Sequence, residues 1–315
     1  MLKKKVSIIL PVYNEEASMP FMRTCMEEVA DINKGYDWEF LMINDGSHDM
    51  SLELMEDYHR NDCRFSYVDL SRNYGKEIAM LAGFDFAKGD AVIVMDADMQ
   101  HPISVIPEML KHWEEGFDDV YAQRKVSKES YFKKYTSRFY YLLLQKFTRI
   151  PIQKNTGDFR LLDRSCVNAL RKMRESERNT KALYSWVGFK KYGIWYEQGE
   201  RREGQSKWSF LQLADLAIIG ITSYSIAPLR IATLFGVITS FLAFLSGIWV
   251  FVKTMVWGDP VAGYPTLMVV LLLLGGVELT CLGIMGEYLG RVFNETKGRP
   301  NYFVDSYNGR RFKYE

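Results

Sequence analysis

The chain has 315 residues, with 40 Lys and Arg against 39 Asp and Glu, a formal net charge of +1. That balance excludes a strongly basic nucleic-acid binder, and the length allows one large domain plus an appendage. Its four cysteines include no CxxC pair and its four histidines no metal-ligand spacing, which excludes a disulfide framework or zinc site and points to a reducing compartment.

Lys3-Lys4-Lys5 and the apolar run Val6 to Val12 mimic a signal peptide. The run is short, and Asn14, Glu15 and Glu16 end it without a cleavage site, so it predicts a first core strand. Strand-like runs follow at 38–43, 64–68 and from Ala91. Helical stretches lie between them at 17–31, 51–59 and 76–87. This alternation predicts an α/β fold with a parallel, doubly wound sheet.

All four strands end in polar residues: PVYNE, NDGS, SRNYGKE and DADMQHP. Open α/β sheets bind ligands at the carboxyl ends of their strands, so four such endings predict a site. Side chains at i and i+2 of an extended segment share a face. Asp96 and Asp98 then point together, with Gln100 following if the chain stays extended. Three hard oxygen donors suit Mg²⁺ or Mn²⁺, which keeps waters and takes further ligands from substrate phosphates. His101 beside them reads as a supporting residue.

Further on, residues 131–150 mix Lys133, Lys134, Arg138, Lys146 and Arg149 with seven aromatic residues, as in a helix lying at a membrane surface. Residues 208–224 are apolar except for Asp215 and lead into Ile231 to Val252, which has no charged residue. That run is long enough to cross a hydrocarbon core of roughly 30 Å. A second span is expected from about Thr266 to Leu289, containing Glu278 and Glu287. Glu278 within a membrane hints at self-association into a homo-oligomer. Arg230 precedes the first span, and Arg291, Lys297, Arg299, Arg310, Arg311 and Lys313 follow the second. Lys253 is the one cation between them. The positive-inside rule places both termini and the N-terminal domain in the cytoplasm, at the inner (plasma) membrane.

In this order the motifs PVYNE, NDGS, NYGKE, DADMQHP, Gly157-Asp158-Phe159-Arg160 and Arg202-Glu203-Gly204-Gln205-Ser206-Lys207-Trp208 resemble family 2 glycosyltransferases of the GT-A fold. The nearest subgroup is the polyprenyl-phosphate glycosyltransferases, which include dolichol-phosphate mannose synthases and bacterial undecaprenyl-phosphate glucosyltransferases. The resemblance implies a Rossmann-like GT-A domain at 1–206, an interfacial helix at 207–228, a two-helix transmembrane hairpin at 229–290 and a cytoplasmic tail at 291–315. It further implies inverting transfer of a hexose, glucose first, from a UDP-sugar to undecaprenyl phosphate. N-acetylglucosamine, galactose, mannose and aminoarabinose stay open as the sugar.

On the same resemblance, Pro11, Tyr13, Glu15 and Asp45 hold the nucleoside. Asn44 stands where many relatives carry a first Asp, leaving Asp45 as the base-contacting carboxylate. Asp96, Asp98 and Gln100 hold the divalent ion. Asp158 matches the acidic position that acts as base or positions the acceptor or metal. Arg202, Ser206 and Lys207 match an RxxGxSKW-type segment that closes over the diphosphate or acceptor. Arg124, Arg138 and Arg160 are candidates for the acceptor phosphate, because guanidinium forks suit phosphate oxygens. Lys76 reaches the donor or caps its turn. Three rivals are weighed against this reading. A nucleotidyltransferase needs a Gly-rich loop where PVYNEE stands, and a processive synthase needs a QxxRW signature that Gln205-Ser206-Lys207-Trp208 does not supply. A non-enzymatic sugar-nucleotide sensor would lack turnover.

Overall fold

Strand β1 (Lys5–Val12) is an almost continuous apolar run, and five of its successive side chains are fully buried. A strand reads this way when it is covered on both faces. It lies between β2 (Asp37–Asn44) and β4 (Ala91–Val94), parallel to both, and β3 (Phe65–Leu70) continues the parallel core beyond β2. Pro11, which has no N–H to give, lies beyond Ile9, the last residue of β1 that pairs with β4. Helices α1 (Met19–Ile32), α2 (Ser51–Asn61) and α3 (Lys76–Phe86) are the crossovers. The computed structural model describes residues 3–124, 156–176, 178–196, 227–257 and 263–314.

The sheet is mixed rather than purely parallel. Its order is β7-β5-β6-β4-β1-β2-β3-β8-β9. After the 3₁₀ turn Ile103–Val105 and helix α4 (Ile106–Glu114), β5 (Asp119–Arg124) and β6 (Thr156–Asp163) extend it. β6 is antiparallel to both β4 and β5, and β7 (Lys191–Tyr196) closes that edge parallel to β5. Helices α5 (Arg164–Lys172) and α6 (Thr180–Trp186) lie between β6 and β7 in sequence. The direction of winding reverses between β1 and β4. That switch point is where an open α/β sheet leaves a crevice at its carboxyl edge.

Two close approaches fix this core. From Ile78 to Phe84, α3 is buried on every side, which marks a helix enclosed by protein. It lies so near β1 that a Cβ on Gly83 would stand 2.4 Å from Ile9 Cγ2. On the other side of the sheet's centre, Arg160 and Asp119 form a buried pair, with Nη1 3.0 Å from Oδ2. The Arg160 guanidinium also stacks on Tyr184, 3.7 Å from the ring centre.

The described residues fall into two units. One is the sheet domain together with the C-terminal residues from Pro300. The other contains helices α7 (Ala227–Trp257) and α8 (Tyr264–Thr296), which pack on each other. Within α7, Ile231–Trp249 is long and apolar enough to cross a membrane; it alone reaches that measure among the described residues. The tail does not stand apart. β8 (Val304–Tyr307) pairs antiparallel with β3, and β9 (Arg310–Arg311) completes a hairpin.

Breaking the buried pair should be the most damaging single change in the sheet domain. Asp119→Ala leaves an unpaired buried guanidinium and is expected to destabilise by about 3–5 kcal/mol. Thermal melting in detergent checks this. Arg160→Met paired with Asp119→Leu should recover much of the loss, since it removes both charges.

Candidate active site

The antiparallel register of β4 and β6 builds the centre of the site. Ala91 stands opposite Asp163 and Val94 opposite Arg160. Continued two residues past the end of β4, that register sets Asp96 across from Asp158. Lys76, the first residue of α3, reaches between them. Its Nζ lies 2.5 Å from Asp96 Oδ1 and 2.9 Å from Asp158 Oδ2. Lys76, expected to reach the donor or cap its turn, bridges two carboxylates in this structure.

A second cation-capable group backs Asp96 from below. His101 Nε2 is 3.6 Å from Asp96 Oδ2, and its ring is buried against Phe159, with centroids 4.9 Å apart. The other ring nitrogen, Nδ1, is 3.1 Å from the Tyr196 hydroxyl, which also accepts from Arg124 Nε at 3.1 Å. Burial opposes the charge on Asp96, but His101 and Lys76 outweigh it and hold the carboxyl well below the usual carboxylate range. Burial likewise works against the Lys76 ammonium, and Asp158 and Asp96 more than offset it, raising its pKa. Tyr196 was not anticipated from sequence. It reaches the site because β7 pairs with β5 in a register that sets Tyr196 beside Arg124.

The Asp96–Gln100 segment is not extended. The chain turns at Ala97 and Asp98, Met99 N donates to Asp96 O at 3.3 Å, and Met99 has φ +53. The alternation expected of Asp96, Asp98 and Gln100 on one face therefore fails, because side chains alternate only along a strand. Instead Asp96 is half-buried and Asp98 is exposed, with its Oδ1 accepting from Gln100 N at 3.1 Å. Among the described residues, no three His, Cys, Asp or Glu side chains form a ready metal cluster. Two carboxylates are nonetheless the usual protein share of a Mg²⁺ site whose other ligands are phosphates and water. Asp158 Oδ1 is buried without a partner, a further hard donor beside the pair. The donor set fits a divalent ion.

The ends of β1, β2 and β3 are laced together next to this centre. Asn14, with φ +53, accepts from His48 N through Oδ1, while its own N–H donates to Ser47 Oγ. Glu15 N–H donates to Ser51 Oγ, and the Glu15 carboxylate accepts from Ser18 Oγ at 2.6 Å. Asn44 links β2 to β3 by donating to Asp69 Oδ1 at 2.7 Å. Asp45 is buried, and its two oxygens accept from Tyr74 N at 2.7 Å and Gly75 N at 2.9 Å. Burial nevertheless raises its pKa above the ordinary value. A Cβ on Gly46 would stand 2.5 Å from Asn73 N, and its φ is +68, so only glycine lets these two loops touch. Tyr13 is left exposed beside Pro11.

Arg160 must be withdrawn from the acceptor-binding set. Its guanidinium is committed to Asp119 and Tyr184 below the site. Arg124 remains beside it: a Cβ on Gly157 would lie 3.6 Å from Arg124 Nη2. Arg138, Arg202, Ser206 and Lys207 lie outside the described residues, as do the interfacial segments expected at 131–150 and 208–224.

Residues 7–171 match glycosyl transferase family 2, and residues 227–292 match the GtrB C-terminal hairpin. An uncharacterized glycosyltransferase of Synechocystis sp. is 42% identical over 301 residues, covering 95% of this chain and 94% of that one. The SfII prophage-derived bactoprenol glucosyl transferase of Shigella flexneri is 40% identical over 301 residues, covering 95% and 97%. Among solved structures, S. aureus TarS 1–349 in complex with UDP-GlcNAc aligns with 70% of this chain and 67% of its own, at 15% identity and a TM-score of 0.47.

Replacing Lys76 should show a defined pH signature. Asp96 has a folded pKa below its unfolded one, so its stabilising contribution holds above about pH 4 and fades as pH falls. Lys76 has a raised folded pKa, so its contribution holds below about pH 10 and fades as pH rises. The stability gap between wild type and Lys76→Met should therefore be widest from about pH 5 to 10 and narrow on both sides. Urea midpoints across pH check this, and a pH-independent gap would contradict it.

Proposed function

The chain belongs to glycosyltransferase family 2, an enzyme of GT-A fold, and from that premise we propose that it transfers glucose from UDP-glucose to undecaprenyl phosphate, with inversion. The observation that supports this reading most strongly is the near full-length similarity to bactoprenol glucosyl transferases. An isoprenoid acceptor holds to the bilayer by about 0.8 kcal/mol per buried CH₂, so an enzyme using it must work at the membrane surface. The hairpin family at 227–292 supplies such an anchor. The excess of Arg and Lys flanking the two apolar stretches 231–252 and 266–289 over the single Lys253 between those stretches supports a multi-pass topology with both termini cytoplasmic. Glu278, exposed on the helix pair, favours self-association of the anchor.

In the mechanism, Tyr13 and Pro11 offer the nucleoside an open apolar surface at the end of β1. Glu15 stands behind them, while Asp45 acts by holding the Tyr74–Gly75 turn. Asp96 and Asp98, with Gln100, would hold Mg²⁺ or Mn²⁺, with Asp158 Oδ1 close by. When bound, the ion supplies Lewis-acid neutralisation of the departing diphosphate. Lys76 adds a fixed positive charge between Asp96 and Asp158, where a diphosphate approaching the carboxylates gains from it. Arg124 stands next to Gly157 and Asp158 and offers its guanidinium to the acceptor phosphate. That phosphate is largely a dianion at neutral pH, with a second pKa of about 6. One of its oxygens forms the new bond to the anomeric carbon as the bond from that carbon to the diphosphate oxygen breaks, and UDP leaves with the electron pair. The nucleophile needs little deprotonation, so Asp158 serves first to orient acceptor and cation. Arg202 and Lys207 complete the cationic surround in this proposal, and Ser206 adds a hydroxyl donor for phosphate oxygens.

Purified protein in detergent, given undecaprenyl phosphate, a divalent ion and a panel of radiolabelled nucleotide sugars, should label the lipid from UDP-glucose, and chelator should stop it. Labelling from a different donor would correct the sugar alone. Asp98→Ala should abolish transfer, and full activity in that variant would overturn the metal assignment. Asp158→Asn should lower kcat by about 10²-fold or more if it moves a proton. A smaller fall with a raised acceptor KM would mark it as a positioning residue.

A further inference from the structure

The C-terminal tail touches the segment carrying Lys76 at both of its ends. At the front, Ser71 N donates to Phe303 O at 3.0 Å, and Phe303 N donates to the Tyr74 hydroxyl at 3.3 Å. The same hydroxyl lies 2.9 Å from Ser71 Oγ, and Arg72 stacks on the Tyr74 ring at 4.4 Å. At the back, the Tyr302 hydroxyl donates to Asp85 Oδ2 at 2.6 Å, and Lys88 Nζ donates to the Tyr307 hydroxyl at 2.9 Å. The Tyr307 ring packs on Phe86, with centroids 5.2 Å apart. These anchors bracket α3 from its first residue, Lys76, to its last turn. The tail is itself held in register, because Tyr67 N donates to Asn308 Oδ1 at 2.8 Å and Asn308 N donates to Tyr67 O.

We infer that the C-terminal tail is a clamp that positions Lys76 for the sugar-nucleotide donor. The Ser71–Gly75 loop has two fastenings. Asp45 holds Tyr74 N and Gly75 N from inside the site, and Phe303 holds Ser71 and Tyr74 from outside it. Lys76 extends a long side chain from the end of this loop to Asp96 and Asp158, so a small shift of its backbone moves the ammonium off both. The tail follows α8 directly in the chain, so the stretch that continues from the membrane hairpin also sets a donor-site cation. Tyr74 and Phe303 are thus positioning residues, and neither need touch the substrate.

This inference rests on the reading of Lys76 as a donor-site group, and its test separates the two. Three proteins in detergent are compared: the full chain, the chain lacking residues 301–315, and the full chain carrying Tyr74→Phe. Hydrogen exchange over residues 71–80 reads the clamp without any ligand. UDP titration and separate KM values for UDP-glucose and undecaprenyl phosphate read its consequence. The truncated protein should exchange faster over 71–80 and show donor KM raised about tenfold, as loss of one or two hydrogen bonds permits, with acceptor KM unchanged. A synthetic peptide of residues 300–315 should restore donor KM. Tyr74→Phe should raise donor KM a few-fold with no change in melting temperature. Unchanged donor KM in Tyr74→Phe, or equal losses in donor and acceptor KM that the peptide does not rescue, would overturn the inference. If truncation abolishes folding, Tyr74→Phe decides alone. Faster exchange without any UDP binding by the full chain would leave the clamp standing and sink the UDP-sugar reading.

Discussion

A lysine ammonium between two carboxylates is the interaction around which the sheet domain's polar edge is organised. Asp96 comes from the end of β4, Asp158 from the antiparallel β6, and Lys76 from the start of α3. A half-buried and a buried carboxylate at such short range repel unless a cation stands between them, and an ammonium is the compact point charge for that place. The register of β4 against β6 and the height of α3 above β1 both matter to it. Gly83 permits the helix to approach Ile9, and without that approach Lys76 would stand off the pair.

Around this centre the supporting contacts run outward in two directions. One passes through Asp96 to His101, Tyr196 and Arg124, a chain of buried polar groups that ends on a guanidinium next to Gly157. The other passes through Gly75 and Tyr74 to Asp45, and so to the loops after β1 and β2. The Asp96–Lys76–Asp158 centre and the loops after β1 and β2 are thereby held by one connected set of contacts. Buried networks of this kind are strong when satisfied and costly when broken, which holds the geometry of this edge fixed.

In the proposed reaction the hairpin matters for a different physical reason. A sugar nucleotide is soluble and a polyprenyl phosphate is not, so a chain that joined them as proposed would have to serve two phases. The apolar stretch Ile231–Trp249 in α7 has the length and composition suited to the second need. The tail then re-enters the sheet domain as β8 and β9, so the chain leaves that domain and returns to it.

Much of this was legible in the residues themselves. Near-continuous apolar runs must be strands covered on both faces, and a run without charge as long as Ile231 to Val252 must find an apolar surrounding; period and hydropathy determine both locally. The four polar strand endings, with Asp96, Asp98 and Lys76 among them, could be marked because sheet polarity puts all such endings on one edge, whereas Asp158, near the start of β6, was marked only by its match to a family motif. Pairing could not be read, since it joins residues far apart in the chain. Only the tertiary structure set Asp158 opposite Asp96, sent Arg160 down to Asp119 instead of up to a phosphate, and turned Ala97-Asp98 out of the extended line that alternation assumed. Only it brought Tyr196 to His101 and laid the C-terminal strand on β3. Local chemistry specified which groups are present; long-range strand register, set by packing on both faces of the sheet, decided which of them meet.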